Sequence, residues 1–379
     1  MNETQPQSLL PNGLRDALPP EAGAQSAAIG RLLDVFHANA YDRVQPPLVE
    51  FEQSLLDGPG QAVSSQTFRL MDPVSQRMMG LRADITPQIA RIAATRLAQA
   101  PRPLRVSYAG QVLRVRGNQL RPERQFAQVG VELIGAAAPS GDVEVVVLAA
   151  ESLSAVGVAD VSIDLSMPTL VPVICQDIGL AVDEARRARV VLDRKDPAAL
   201  AGFNDATRTI LAGLLAAAGP ADEAVAALNA LPLSDQARRM CAELAETVDQ
   251  VAAAAPALGL TVDPVEFRGM EYQTGVSFTI FTPQVRSEIG RGGRYELNTG
   301  ESATGFTLFM DALVRALPEP VAGYLVFVPH GTSPQVSARV REDGWRTLQA
   351  LSVEGDDTVE ARRLNCSHIL RDGDVSEVT

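Results

Sequence analysis

Cysteine is scarce in this chain: three residues in 379, Cys175, Cys241 and Cys366, far apart and odd in number. That excludes a disulfide framework and any thiolate metal site of regular spacing, and it suits a reducing compartment in which all three are buried apolar residues. A long apolar run is also missing. No stretch approaches the roughly 20 residues needed to cross a bilayer. The first residues contain no charged segment followed by an apolar one, so a secretory leader is not expected and the expected location is the cytoplasm. Positive charge is in deficit, with 33 Lys and Arg against 46 Asp and Glu and a net charge of -13. Non-specific attraction to phosphate backbones or anionic membranes is therefore disfavoured. What remains is an ordinary soluble composition, 46% hydrophobic and 21% charged, long enough for one large domain and one or two smaller ones.

The segment 1–20 is polar and proline-containing, with a turn at Pro11-Asn12-Gly13, and reads as a lead segment. From Ala24 to Ala40, Ile29, Leu32, Leu33 and Phe36 recur at helical spacing. His37 lies beside that stripe and reads as a helix-surface or packing residue. In the run YDRVQPPLVE, Pro46 and Pro47 exclude helix and confine any strand to an edge or interface position. Residues 67–81 read as a hairpin turning at Asp72-Pro73. Thr86-Pro87 then opens a helix, with threonine as the N-cap and proline at the first helical position. Asp84 is harder to explain structurally, although an acid near a helix N-terminus is itself favourable.

The stretch 104–135 is the most informative. Two alternating runs flank a basic loop around Gly117-Asn118, which offers turn residues for a hairpin. In an extended strand Gln128, Gly130 and Glu132 share one face and Val129, Val131 and Leu133 the other. Arg114 and Arg116 share a face of the first run with Val112. A cation can then face a carboxylate and an amide, with room over Gly130 for a small ligand. A half-buried surface strand fits the same alternation.

Residues 142–158 read as a helix and 161–165 as a strand. An alanine-rich segment then reads as a helical insertion with its own small core. Strand character returns at 265–281. Gly290-Arg291-Gly292-Gly293-Arg294-Tyr295 reads as a tight hairpin or a ligand-facing loop, and 305–317 as a strand leading into a helix. The last sixty residues read as a small βα module, with strand 324–328, a helix across 334–351, and a further helix and strand ending near Ile369-Leu370. Trp345 is a packing residue in this reading, and His330 and His368 end strands without chemical partners.

Taken together, these segments carry a resemblance. QVLRVRGNQLRPERQFAQVGVELIG is similar to the second signature motif of class II aminoacyl-tRNA synthetases, closest to the histidyl-tRNA synthetases. YDRVQPPLVE resembles their dimer-interface motif, LRADIT a histidine-pocket loop, and FRGMEYQTG with GRGGRYE the two histidine-specific segments. The resemblance implies an α/β (α+β type) fold: a mostly antiparallel sheet flanked by helices. The core would span 21–170 and 262–318, the insertion 171–261, and a truncated relative of the anticodon-binding domain 319–379.

It also implies that Asp84, Gln128 and Glu132 hold the α-amino and imidazole groups of histidine and that Arg114 pairs its carboxylate. Thr86, Arg268, Tyr272 and Tyr295 complete that pocket. Gln273 departs from the family pattern, which has a second tyrosine after Tyr272. On the ATP side the pattern fails. Arg116 stands where adenylating members have an acid, and Ala312 where they have an arginine, whose loss should remove electrostatic stabilisation of the phosphates.

A synthetase-like body with an amino-acid pocket and no ATP residues resembles the regulatory subunits of ATP phosphoribosyltransferase, and LRADITPQIAR fits that family. The resemblance implies a dimer without catalytic residues, metal or cofactor, assembling with a short-form catalytic subunit into a hetero-octamer and binding L-histidine for feedback control. The short tail leaves little surface for nucleic acid. An active histidyl-tRNA synthetase and a stand-alone histidine-binding paralogue are the alternatives.

Overall fold

Alternating burial along extended segments builds the sheet on which everything else rests. The computed structural model describes residues 10–267, 272–318, 324–353 and 355–378. The chain divides into two compact units, Met1–Pro318 and Glu319–Thr379. In the first, the strands in chain order are β1 (Asp42–Arg43), β2 (Val49–Phe51), β3 (Phe68–Met71), β4 (Met78–Leu81), β5 (Leu104–Leu113), β6 (Gln125–Ile134), β7 (Ser162–Ser166), β8 (Gly219–Pro220), β9 (Gly259–Val262), β10 (Gln273–Phe281), β11 (Gly290–Glu296) and β12 (Ser302–Phe309). Among the described residues nine of them form one sheet in the order β1-β5-β6-β12-β11-β10-β7-β9-β8. Its central pairings, from β5 through β10 to β7, are antiparallel. β2, β4 and β3 form a separate antiparallel sheet.

Helices cover both faces. On the back lie α1 (Glu21–Ala38) and, further along the chain, the helix Ser140–Ala155. Leu32 and Phe36 of α1 are fully buried, and the Phe36 ring meets Phe306 edge-on at 5.7 Å. Val129, Val131 and Leu133 join the same cluster. On the front, the helix Thr86–Ala94 drives Ile85, Ile89 and Ala93 against Val106, Tyr108, Ile134 and Tyr295. The face division expected of Gln128–Leu133 is the one observed. The prolines also behave as expected: β1 is an edge strand that ends at Arg43, and the carbonyl of Pro46 accepts from buried Arg82 Nη1 at 2.9 Å.

Four local expectations need correction. Helix Thr86–Ala94 begins at Thr86 itself, with Ile85 in the N-cap position and no side-chain cap; the hydroxyl is turned toward Tyr108 instead. The glycine run 290–294 is neither hairpin nor loop but part of β11 in the sheet interior. A Cβ on Gly292 would collide with the carbonyl of Gly305 and the Phe278 ring, so glycine is needed for close strand packing, not for a turn. The alanine-rich helices have no core of their own: Leu211, Leu214, Leu228 and Leu244 belong to the cluster that contains Val131 and Phe306, and β9 extends the main sheet alongside β7. The space expected above Gly130 is filled, because the Tyr108 hydroxyl would lie 2.6 Å from a Cβ there.

The second unit has a sheet of Leu325–Val328, Arg346–Gln349, His368–Arg371 and Asp374–Glu377 with helices Pro334–Glu342 and Asp357–Arg363. The helix expected over 334–351 stops at Glu342. Gly344, at φ 88°, turns the chain into the Arg346–Gln349 strand. Trp345 packs as expected, with its ring 4.7 Å from that of His368.

Candidate functional site

The front of the sheet opens into a cleft of about 600 Å³. Asp84, Thr86, Arg114, Gln128, Glu132, Tyr272 and Tyr295 all line it. Arg268 lies outside the described residues. The positions follow from the fold. The antiparallel register sets Gly305 opposite Glu132 and Gly293 opposite Gly305, so bare backbone adjoins the carboxyl. The β4–helix connection delivers Asp84 and Thr86 beside β6, where the Gln128 Oε1 accepts from the Ile85 N–H at 3.0 Å.

Glu132 is the electrostatic centre. It is 2% exposed. Tyr295 Oη donates to its Oε2 at 3.0 Å, and Tyr108 Oη lies 3.4 Å from Oε1. Burial dominates these favourable contacts and pushes the carboxyl up to about 8, with Asp84 adding in the same direction. Desolvation and the nearby Glu132 hold the Tyr108 and Tyr295 phenols well above their ordinary range. Gln128, 1% exposed, leaves its Nε2 without a partner among the described residues. An unpaired donor amide and the Glu132 carboxyl therefore share the cleft face of β6.

Across the cleft, Arg114 Nε reaches the Ala83 carbonyl at 3.3 Å. Burial lowers its pKa, and Arg121 and Arg291 press in the same direction while Asp84 opposes them. Sequence reasoning missed Arg121. Asn118 folds the loop with its Oδ1 on the N–H groups of Leu120 and Arg121 at 3.0 and 2.7 Å. Arg121 then makes a two-pronged pair with Asp311, both bonds 3.1 Å, beneath the Phe309 ring, whose centroid is 3.9 Å away. Tyr108 was missed as well, although alternation with Val106 placed it on the cleft face. Arg116 is exposed at the rim. Ala312, in the helix Met310–Ala316, is fully buried.

The chain resembles known proteins over nearly all its length. The histidyl-tRNA synthetase family model matches residues 13–313. An ATP phosphoribosyltransferase regulatory subunit from Rhodospirillum centenum is 53% identical over 372 residues, covering 98% of this chain and 96% of the relative. One from Paramagnetospirillum magneticum is 52% identical over 378 residues, covering all of both. The chain belongs to the ATP phosphoribosyltransferase regulatory subunit family. The fold is also that of a class II synthetase. A crystal structure of an ATP phosphoribosyltransferase regulatory subunit/histidyl-tRNA synthetase from Bacillus halodurans matches with a TM-score of 0.81 at 23% identity, over 97% of this chain and 98% of that one. The histidyl-tRNA synthetase from Nostoc sp. PCC 7120 matches with a TM-score of 0.78 at 19% identity, over 97% and 92%.

Chemically, the cleft carries the Asp84 and Glu132 carboxyls, the Gln128 amide and the half-buried Arg114 guanidinium, which feels the charge of Asp84. Such a set can hold a small zwitterion by hydrogen bonds to both its charges.

Proposed function

We propose that this chain is the non-catalytic regulatory subunit of ATP phosphoribosyltransferase, binding L-histidine in the Glu132 cleft and assembling, as a dimer, with short-form catalytic subunits into a hetero-octamer. In the absence of histidine it activates the catalytic subunit, and bound histidine reverses that activation. Histidine occupies the cleft with its α-amino and imidazole groups toward Asp84, Thr86, Gln128 and Glu132 and its carboxylate on Arg114; Arg268, Tyr272 and Tyr295 complete the enclosure. The 319–379 unit is a counterpart of an anticodon-binding module, with no nucleic-acid partner. The setting is cytoplasmic, in keeping with the lack, among the described residues, of any helix long and apolar enough to cross a membrane.

The observation that carries this reading is the coexistence of a zwitterion-complementary cleft with Ala312 where adenylation needs a cation. Arg121, a buried guanidinium lining the cleft, is engaged by Asp311, whose opposite charge weakens its field at any phosphate. Feedback control needs only that histidine bind two assembly states with different affinity, and reciprocity then requires the catalytic partner to alter histidine affinity. Calorimetric titration of the wild-type chain and Glu132→Ala tests the pocket: unchanged histidine binding in the variant would refute it. The family-model match to histidyl-tRNA synthetases favours one competing reading, an aminoacylating enzyme. Histidine-dependent pyrophosphate exchange separates the two; none is expected here.

A further inference from the structure

Side chains along β11 alternate between the two faces of the sheet. Tyr295 stands on the front, in the cluster with Ile85 and Tyr108, and its hydroxyl donates to Glu132 Oε2 at 3.0 Å. The back face takes positions 290, 292, 294 and 296. Two of these are glycine, and Glu296 is exposed at the strand end. Among these described residues Arg294 is therefore the one buried side chain with which β11 grips the layer behind it.

That grip is polar and reaches several segments. Arg294 Nε donates to Asp142 Oδ2, on the helix Ser140–Ala155, at 3.0 Å. Its Nη1 donates to the Ala136 carbonyl at 2.8 Å and to Ser302 Oγ at 2.6 Å. The aliphatic stem lies against Gly275, where a Cβ would be 3.0 Å from Cδ. Backbone pairing constrains β11 least at this point. Gln273 pairs with Tyr295 and Ser277 with Gly293, so three residues of β10 face Arg294 alone and the ladder is irregular there. The side chain of Arg294 supplies the constraint that the ladder lacks on that side.

We infer that Arg294 is a positioning residue for the cleft: held by Asp142 behind the sheet, it sets the rotation of β11 and so the aim of the Tyr295 hydroxyl at Glu132. The ion pair thereby tunes ligand affinity without touching the ligand, because a hydrogen bond weakens steeply as its angle departs from linear. This rests on the reading of the cleft as a histidine site.

The test is a double-mutant cycle read by calorimetric titration of the full-length chain with L-histidine. The back-face variants are Asp142→Asn and the apolar pair Asp142→Leu with Arg294→Met, each made alone and together with Tyr295→Phe. The apolar pair avoids stranding a buried charge, and Asp142→Asn keeps the shape should that pair not fold. Tyr295→Phe should weaken histidine binding about tenfold, the size of one lost hydrogen bond. Asp142→Asn should weaken it about threefold and the apolar pair about tenfold, but with Tyr295→Phe already present either should change it less than about twofold. A general loosening of the fold would instead give losses that persist in full on the Tyr295→Phe background. That result, or histidine binding unchanged by the back-face variants, would overturn the inference and leave the histidine reading standing. A folded wild-type chain that gives no heat with histidine would overturn both.

Discussion

Replacing Glu132 by glutamine should make the folded chain more stable above about pH 5, while abolishing histidine binding. The carboxyl is raised from 4.5 to about 8 because burial penalises its charged form. Between those values the native state keeps a proton that the unfolded chain has released. The unfolded state binds fewer protons, so unfolding free energy falls as pH rises, by about 1.4 kcal/mol per unit for this one group. The loss begins near pH 4.5, reaches about 3 kcal/mol at pH 7 and levels off near pH 8 at about 5 kcal/mol, an order-of-magnitude figure. Glutamine preserves the shape, can accept from the Tyr295 hydroxyl that now donates to Oε2 at 3.0 Å, and carries no ionisation cost. Urea unfolding of both proteins at pH 5, 6, 7 and 8 gives the difference directly, with other titrating groups cancelling. The curves should coincide near pH 5 and diverge upward in favour of Glu132→Gln. Parallel curves, or a variant less stable at pH 8, would refute the argument that burial dominates at this site. Such a gain would identify Glu132 as a residue retained for binding at the expense of stability.

The buried Arg121–Asp311 pair should respond asymmetrically. Asp311→Ala alone strands a guanidinium and should cost about 3–5 kcal/mol in urea unfolding, whereas Arg121→Met with Asp311→Leu should cost much less. Gly130→Ala forces a Cβ against the Phe306 carbonyl and the Tyr108 hydroxyl, so it should destabilise by about 1–3 kcal/mol through overpacking. It should also displace the phenol beside Glu132, measurable as weaker histidine binding in the fraction that folds.

Much of the scaffold could be read locally because strand and helix periods are local properties. Alternation in 128–133 separated the two faces of β6, and the Ile29–Phe36 stripe placed α1. The failures involve information that lies far away in the chain. Glycines 290–293 have turn composition, and only Phe278, Gly305 and Gln273 packed around them show why a strand needs them bare. Thr86 suits an N-cap, but Tyr108 draws its hydroxyl into the front cluster. Arg121 and Asp311 are 190 residues apart, so no periodicity could pair them. In the second unit, helical spacing continued past Glu342, but the positive φ at Gly344 ended it. The residues expected to bind histidine were collected by resemblance to a family; what the fold adds is the burial of Thr86, Gln128, Glu132 and Tyr295 and the spare amide of Gln128.

The central claim concerns control of a partner, so the decisive measurement is the activity of a short-form ATP phosphoribosyltransferase catalytic subunit titrated with this purified chain, with and without L-histidine. The account predicts a stimulated complex whose activity falls as histidine is added, and loss of that response with Glu132→Ala. A catalytic subunit equally active with or without the chain would contradict it.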